Sequence, residues 1–261
     1  MVEGKKNKGS AGIDRETIDD FARNQQSNLA RLRKAVANST YRPYPCKQVL
    51  IPKNKGKWRE LRIPTVRDRI VQQALLNVLA PITEVTFSDC SFAYRSNISY
   101  IHAVEKIAYW RDLGYHWILD ADIIKYFDSI DHQILLEELR QHIDHPGILC
   151  LIKAWISSGI ITNEEVKLSE KGIPQGAVIS PLLANIYLDK FDRAISNTDL
   201  KLVRYADDFL VLARGQERIF QAYSEVVRLL HTLKGDNFLD QYMTRDRTNS
   251  RNLLKISGKL I

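Results

Sequence analysis

The chain has 261 residues, about 30.1 kDa, with 44% hydrophobic, 9% aromatic and 26% charged residues, a balance that excludes a disordered tail, a collagen-like rod and a small disulfide scaffold. No stretch approaches the roughly 18 to 20 uninterrupted apolar residues of a membrane span, and MVEGKKNKGS lacks the apolar core of a signal peptide, so a cytoplasmic protein without membrane contact is expected. Three cysteines, Cys46, Cys90 and Cys150, form no CxxC pair and imply neither a disulfide framework nor a cysteine-built zinc site.

Charge is informative by segment. Residues 1–70 hold 17 Lys and Arg against 7 Asp and Glu, whereas residues 71–261 hold 21 against 24. The excess of cations therefore sits at the front. Arg42 to Arg69 carries nine basic and two acidic residues interleaved with Tyr41, Tyr44 and Trp58. That composition suits phosphate neutralisation with base or sugar stacking, although a solvated basic face reads the same way by charge alone.

Along the chain, Asp14 to Ser39 has helical periodicity, ended by the Pro-punctuated YRPYPC. QVLIP, a turn at Asn54-Lys55-Gly56 and WRELRIP predict a β-hairpin rich in cations. A long helix follows in VRDRIVQQALLNVLAPI, and another from Tyr100 to Arg111. From His116 the texture changes to WILDADI, a β-rich run with two aspartates, then KYFDSI and a helix in DHQILLEELRQHI capped by Ser129 or Asp131. A helix around ILCLIKAWI, a hairpin or loop in TNEEVKLSE and a turn at GIPQG lead into the amphipathic ISPLLANIYLDKFDRAI. KLVRYADDFLVLA reads as strand, tight turn, strand, and ERIFQAYSEVVRLLHTL as a closing helix. Without a Gly-rich phosphate loop, this alternation points to an antiparallel α+β layer.

Asp207 and Asp208 stand between two apolar strand halves. Adjacent like charges at the end of hydrophobic strands cost stability unless something positive holds them. Asp122 supplies a third carboxylate at the end of another apolar strand; were the strands neighbours, three oxygen donors would converge. Hard divalent cations such as Mg²⁺ prefer such sites and take remaining ligands from water and phosphates. Two such metals suit nucleotidyl transfer. An isolated Asp-Asp pair in a turn is ordinarily turn chemistry, because Asp caps and tolerates the left-handed region. His142, His145 and Cys150 lack a fourth ligand at suitable spacing for zinc. Asp120 and Asp128 read as structural or capping, and Trp110, Trp117 and Trp155 as core.

The ordered segments NKGSAGID, IPKNKGKWRELRIPTVRDRIVQQAL, FSDCSFAYRS, DADIIKYFDSIDH, GIPQGAVISPLLANIYLDKFD and RYADDFLVLA carry a resemblance. Together they resemble the bacterial reverse transcriptases, specifically the group II intron lineage and the CRISPR-associated enzymes similar to it. The resemblance implies a right-hand polymerase fold of class α+β, with helical and β-hairpin fingers and an antiparallel-sheet palm backed by helices. It implies fingers over 1–115 and a palm over 116–233 in which 147–170 packs with the fingers, while the sequence departs from the family over 234–261, where an irregular tail is expected in place of a helical thumb.

The same resemblance makes Asp122, Asp207 and Asp208 the catalytic metal-binding triad, with the carbonyl of Ile123 a further ligand to two Mg²⁺ ions or to Mn²⁺. It makes Phe127 the steric gate against a 2′-hydroxyl. Lys53, Arg59, Arg95 and Gln175 become dNTP contacts, while Pro174, Gly176 and Tyr205 face the template-primer. The implied activity is RNA-directed DNA synthesis on an RNA template from a DNA or RNA primer. CRISPR integrase proteins, for spacer acquisition from RNA, or a group II intron RNA, for intron mobility, are the implied partners, and FAYRS, GKWREL and GIPQGA resemble the CRISPR-associated set somewhat more. A tail without thumb periodicity leaves a second expectation, a catalytically incomplete RNA-binding scaffold or truncated remnant of a retroelement enzyme.

Overall fold

The structure, a computed structural model, describes residues 9–52, 56, 58–162, 165–168 and 170–233, together with the backbone of 239–246 and 253–254. The chain divides by compactness into two units, one of residues 1–82 with 132–183 and the other of 83–131 with 184–261. By compactness residues 147–170 fall in the first unit and residues 83–115 in the second. Residues 83–115 belong with the second unit because the helix Tyr100–Asp112 packs on that unit's sheet.

In the first unit, α1 (Ile18–Arg23) starts at a capping box in which Thr17 and Asp20 satisfy each other's backbone N–H. The helix α2 (Gln25–Ala37) follows directly, and Asn28 is buried between them because its Nδ2 donates to the Phe21 carbonyl at 2.9 Å. The expected hairpin forms from β1 (Cys46–Pro52) and β2 (Trp58–Ile63), with Ile51 opposite Arg59. Two short strands, β4 (Ile160–Thr162) and β5 (Glu165–Lys167), extend it into a four-stranded sheet of order β2-β1-β4-β5. The segment TNEEVKLSE thus contributes a hairpin strand.

The long helix α3 (Val66–Glu84) is tied to the preceding link by Asp68, a fully buried carboxylate. It accepts from the Tyr41 hydroxyl, from Thr65 Oγ1 at 2.6 Å and from the Tyr44 N–H at 3.1 Å. Burial raises its pKa, and these three donors work against that rise. Trp155, on α7 (Pro146–Ile156), donates its indole N–H to the Tyr41 hydroxyl at 3.1 Å, so one tyrosine links three segments distant in sequence. Trp155 is therefore core, as its apolar setting suggested. Its helix is capped by His145, whose Nδ1 accepts from the Ile148 N–H at 3.3 Å.

The second unit is built on a five-stranded sheet of order β6-β7-β3-β8-β9. Here β3 is Trp117–Ile123, β6 Lys201–Tyr205, β7 Asp208–Ala213, β8 Leu239–Asp246 and β9 Leu253–Leu254, and all named pairings are antiparallel. Within the segment expected to be an irregular tail, the backbone of Leu239–Asp246 pairs with β3.

Strand alternation gives the sheet two faces. Leu119, Ala121 and Ile123 share one face with Phe209, Val211 and Leu202 and are buried. Two helices cover it, α8 (Ser180–Ser196) and α9 (Gln216–Thr232), the second through Ile219, Ala222, Val226 and Leu230. Phe191 meets Phe209 edge-on at 5.3 Å between ring centroids. On the other face, α4 (Tyr100–Asp112) covers Ile118, Val203 and Leu212 through Ala103, Ile107 and Trp110. Among the described residues no helix is long and apolar enough to cross a membrane.

Tyr41→Phe removes a hydroxyl that both donates to Asp68 and accepts from Trp155. It should lower unfolding free energy by about 1–3 kcal/mol, read from urea melts; an unchanged midpoint would show that Asp68 is satisfied without it.

Candidate active site

The site begins with the register of the second sheet. In one row across three strands stand Tyr205 of β6, Asp208 of β7 and Asp122 of β3, each directly opposite the next. Asp122 is half-buried and Asp208 exposed. Carboxylates directly opposed on neighbouring strands repel each other and weaken the pairing. All-oxygen, like-charged donors on one face are what a hard divalent cation requires, so Asp122 and Asp208 fit such an ion.

Asp207 lies in the two-residue turn joining β6 to β7, and its carbonyl accepts from the Ile123 N–H at 3.4 Å. The backbone of the turn is thereby drawn to the end of β3. Among the described residues, however, no three His, Cys, Asp or Glu side chains already gather around one point. Asp122 and Asp208 stand opposed across a rung, and Asp207 lies in the adjoining turn.

What holds this turn was not found in the sequence. Ala206 adopts φ +61°, a left-handed conformation that costs a non-glycine residue about 1–2 kcal/mol. Its carbonyl accepts from Arg204 Nη1 at 2.9 Å. Arg204 is 1% exposed, and its guanidinium also meets both oxygens of Asp192, at 2.7 and 2.5 Å, with Ser91 Oγ at 2.7 Å and Asn185 Oδ1 at 3.2 Å. Burial opposes its charge, but Asp192 outweighs that and raises its pKa. The signal was an arginine inside an otherwise apolar strand, LVRY, answered by acids in DKFD on an amphipathic helix.

Beyond β3, Lys125 turns the chain with φ +46° and ψ +42° into the single-turn helix α5 (Tyr126–Ser129). Tyr126 is buried and donates to the Ala184 carbonyl at 2.5 Å, with its phenol pKa raised by desolvation. This anchor fixes the half-buried Phe127 beside it, the rings 5.6 Å apart in an edge contact.

In the first unit, Pro174-Gln175-Gly176 forms a β-turn closed by the Ala177 N–H to the Pro174 carbonyl at 3.2 Å. Ser180 Oγ donates to the same carbonyl at 2.8 Å. Gly176 has φ +114°, and a Cβ there would lie 3.3 Å from the Arg62 carbonyl, so both conformation and close approach call for glycine. The Gln175 carbonyl accepts from the Arg62 N–H at 2.9 Å, leaving its half-buried side chain to be placed by a fixed backbone. Arg59 is exposed on β2. Lys53 lies outside the described residues.

Arg95 differs from expectation. Its Nε pairs with Glu84 at 2.8 Å and its Nη1 donates to the carbonyls of Ser88 and Ser91 at 2.9 and 2.8 Å, with only 8% of the side chain exposed. A guanidinium spent on its own loop has little left for a nucleotide, so Arg95 is a structural residue. Among the described residues the His142, His145 and Cys150 set gathers no metal site. Cys150 is exposed, and His145 is a helix cap.

A sheet whose hairpin sets one carboxylate opposite another on the neighbouring strand, with a third in the adjoining turn and two helices behind, has the architecture of a nucleotide polymerase of class α+β. Residues 51–235 match the family "Reverse transcriptase (RNA-dependent DNA polymerase)", and the chain belongs to that family. It is 31% identical over 237 residues to Protein YkfC of Escherichia coli, covering 77% of this chain and 62% of that protein. It is likewise 31% identical over 232 residues to the group II intron-encoded protein LtrA of Lactococcus lactis, covering 87% of this chain and 37% of LtrA. The chain thus spans less than two thirds of either relative. Telomerase from Candida albicans shares the fold, with a TM-score of 0.56 at 16% identity over 91% of this chain and 48% of that one. Divalent metal ions are general to the family.

Arg204→Met should destabilise the protein by about 3–5 kcal/mol, because it leaves Asp192 buried without its partner. Adding Asp192→Leu should recover a large part of that loss. Denaturant melts of the single and double variants decide; a single variant as stable as the wild type would remove the pair from its central position.

Proposed function

We propose that the chain is an RNA-directed DNA polymerase that copies RNA into cDNA by metal-dependent nucleotidyl transfer. The observation that carries this reading is the row of Asp122 opposite Asp208, with Asp207 in the adjoining turn, inside a chain of the reverse transcriptase family. Divalent ions, two Mg²⁺ in the simplest case, supply activation of the primer 3′-hydroxyl and neutralise charge on the departing pyrophosphate when bound. Asp122, Asp207 and Asp208, with the carbonyl of Ile123, are the groups that would hold them.

The remaining roles belong to the protein's own side chains. Phe127, fixed by its buried neighbour Tyr126, bars a 2′-hydroxyl by presenting a ring where the extra oxygen would stand. Arg59, with Lys53, offsets charge on the triphosphate, where a cation is worth most as negative charge develops. Gln175 can both donate and accept hydrogen bonds toward the nucleotide, while Pro174, Gly176 and Tyr205 serve the template-primer. RNA as template and dNTPs as substrates follow from the family. The likeness to LtrA favours a group II intron RNA as the biological partner over CRISPR integrase proteins, since LtrA is itself named as group II intron-encoded.

Purified protein with an RNA template, a DNA primer, dNTPs and Mg²⁺ should extend the primer, and Asp208→Asn should abolish extension with RNA affinity nearly unchanged. Synthesis retained in the variant would remove the metal assignment; RNA binding without any extension would favour the scaffold reading. Phe127→Ala should admit ribonucleotides, measured as incorporation from rNTP mixtures, and unchanged sugar selectivity would place the gate elsewhere. Arg59→Ala, at an exposed position, should raise the dNTP KM or lower kcat about tenfold or more, with its melting curve unaltered.

A further inference from the structure

At the end of the second sheet remote from the aspartates, three cations from three different elements converge on three aromatic rings. Lys106 of α4 has its ammonium 5.7 Å from the Tyr109 ring centroid and 5.3 Å from that of Trp110. Lys201, first residue of the edge strand β6, stands 5.0 Å from the same Trp110 ring and 5.7 Å from Tyr115. Arg214, just past β7, has its guanidinium 4.9 Å from Tyr115. The rings are themselves stacked edge to face, Tyr109 on Trp110 at 4.8 Å and Trp110 on Tyr115 at 5.7 Å.

Trp110 is therefore more than core. One side packs against the cluster of Phe92, Ala103 and Ile118, and the ring also carries two ammonium groups.

Bringing like charges within about one Debye length, roughly 10 Å at 0.1 M salt, works against folding unless an anion is served. No ion pair joins Lys106, Lys201 or Arg214 to a carboxylate among the described residues. Asp199, which feels Lys201, is held by Arg218 at 2.8 Å, and Asp112 by Arg111 at 2.8 Å. A cation–π contact uses the charge and does not consume the N–H donors, and Lys106 and Lys201 are partly exposed and Arg214 exposed. Beside them, Tyr115 also borders a cavity of about 110 Å³ walled by Val104, Ile107, Ala108 and Ile118 with Arg111 alongside. Val104 is 59% exposed, so the apolar wall reaches solvent.

We infer that this cation and ring ladder, with its apolar slot, is a second nucleic-acid site that binds single-stranded RNA through its phosphates, outside the catalytic row. Alternating cations and aromatic surface are what an unpaired strand engages, its phosphates on the cations and an unstacked base against apolar carbon. The six residue steps from Asp208 to Arg214 set the site about 20 Å from the carboxylates along the sheet, far enough to hold a strand that is not being copied. This inference rests on reading the chain as an enzyme that works on RNA.

The test is direct binding of a fluorescein-labelled single-stranded RNA by the full chain, without metal or dNTPs, across a salt series. Lys106→Ala/Lys201→Ala/Arg214→Ala should weaken binding about tenfold or more near 0.1 M salt and lower the slope of log K against log salt by about 2, about 0.7 per lost phosphate contact. Lys106→Arg/Lys201→Arg should restore both. Should the triple variant fail to fold by circular dichroism, Arg214→Gln at its exposed position should still lower the slope by about 0.7. An unchanged slope and affinity in folded variants would overturn the proposal, as would a poly-glutamate peptide that binds more tightly than RNA and depends on the same three residues. Wild-type protein that binds no RNA would sink the polymerase reading itself. Binding with an unchanged slope would sink this site alone, and extension assays on Asp208→Asn bear only on the catalytic row.

Discussion

The second unit depends on one buried ion pair. Arg204 and Asp192 sit where water cannot share their charge, and each is costly alone. The guanidinium's fork lets one side chain satisfy Asp192, Asn185, Ser91 and the Ala206 carbonyl together, which a lysine's single ammonium could not do. The backbone of the same residue donates to the Cys90 carbonyl at 2.7 Å and accepts from the Phe92 N–H at 2.9 Å, so segment 90–92 covers the sheet edge at β6. Helix α8, the edge strand, the flanking segment and the aspartate turn are thus fixed by one residue.

That arrangement explains how the turn can keep a strained alanine and adjacent carboxylates. The strain at Ala206 is held locally by the hydrogen bond to its carbonyl, and the opposed charges of Asp122 and Asp208 are held apart by two strands whose inner faces are fully apolar. The acids are exposed or half-buried at the end of the sheet, where an ion and phosphates can reach them, while the energy that positions them comes from the face beneath. Tyr126 repeats the logic for Phe127: the buried member of an aromatic pair anchors the exposed-side member.

The two ends of this sheet carry opposite charge. At one end stand carboxylates suited to cations, at the other Lys106, Lys201 and Arg214 over aromatic rings suited to phosphates. The net charge of the chain beyond residue 70 is negative, so this cationic end could not be read from segment totals. It arises because residues nearly a hundred apart in sequence are brought onto neighbouring elements.

Local chemistry was legible in the sequence because short-range rules govern it. Periodicity gave the helices and the hairpins, the apolar strands ending in Asp122 and Asp207-Asp208 gave the carboxylates, and the ordered motifs gave the family. Gly176 was readable as a turn residue because only glycine tolerates its backbone angle. Tertiary structure alone decided which strand lies beside which, and hence that Asp122 faces Asp208 while Asp207 stays in the turn. It alone showed that Arg95 is consumed by Glu84 and two carbonyls, that residues 83–115 belong with the second unit, and that Arg204 holds the turn. The physical reason is common to all four: a side chain's partners across long sequence separation depend on register and packing, which no local pattern encodes, whereas turn geometry and helical periodicity are set within a few residues.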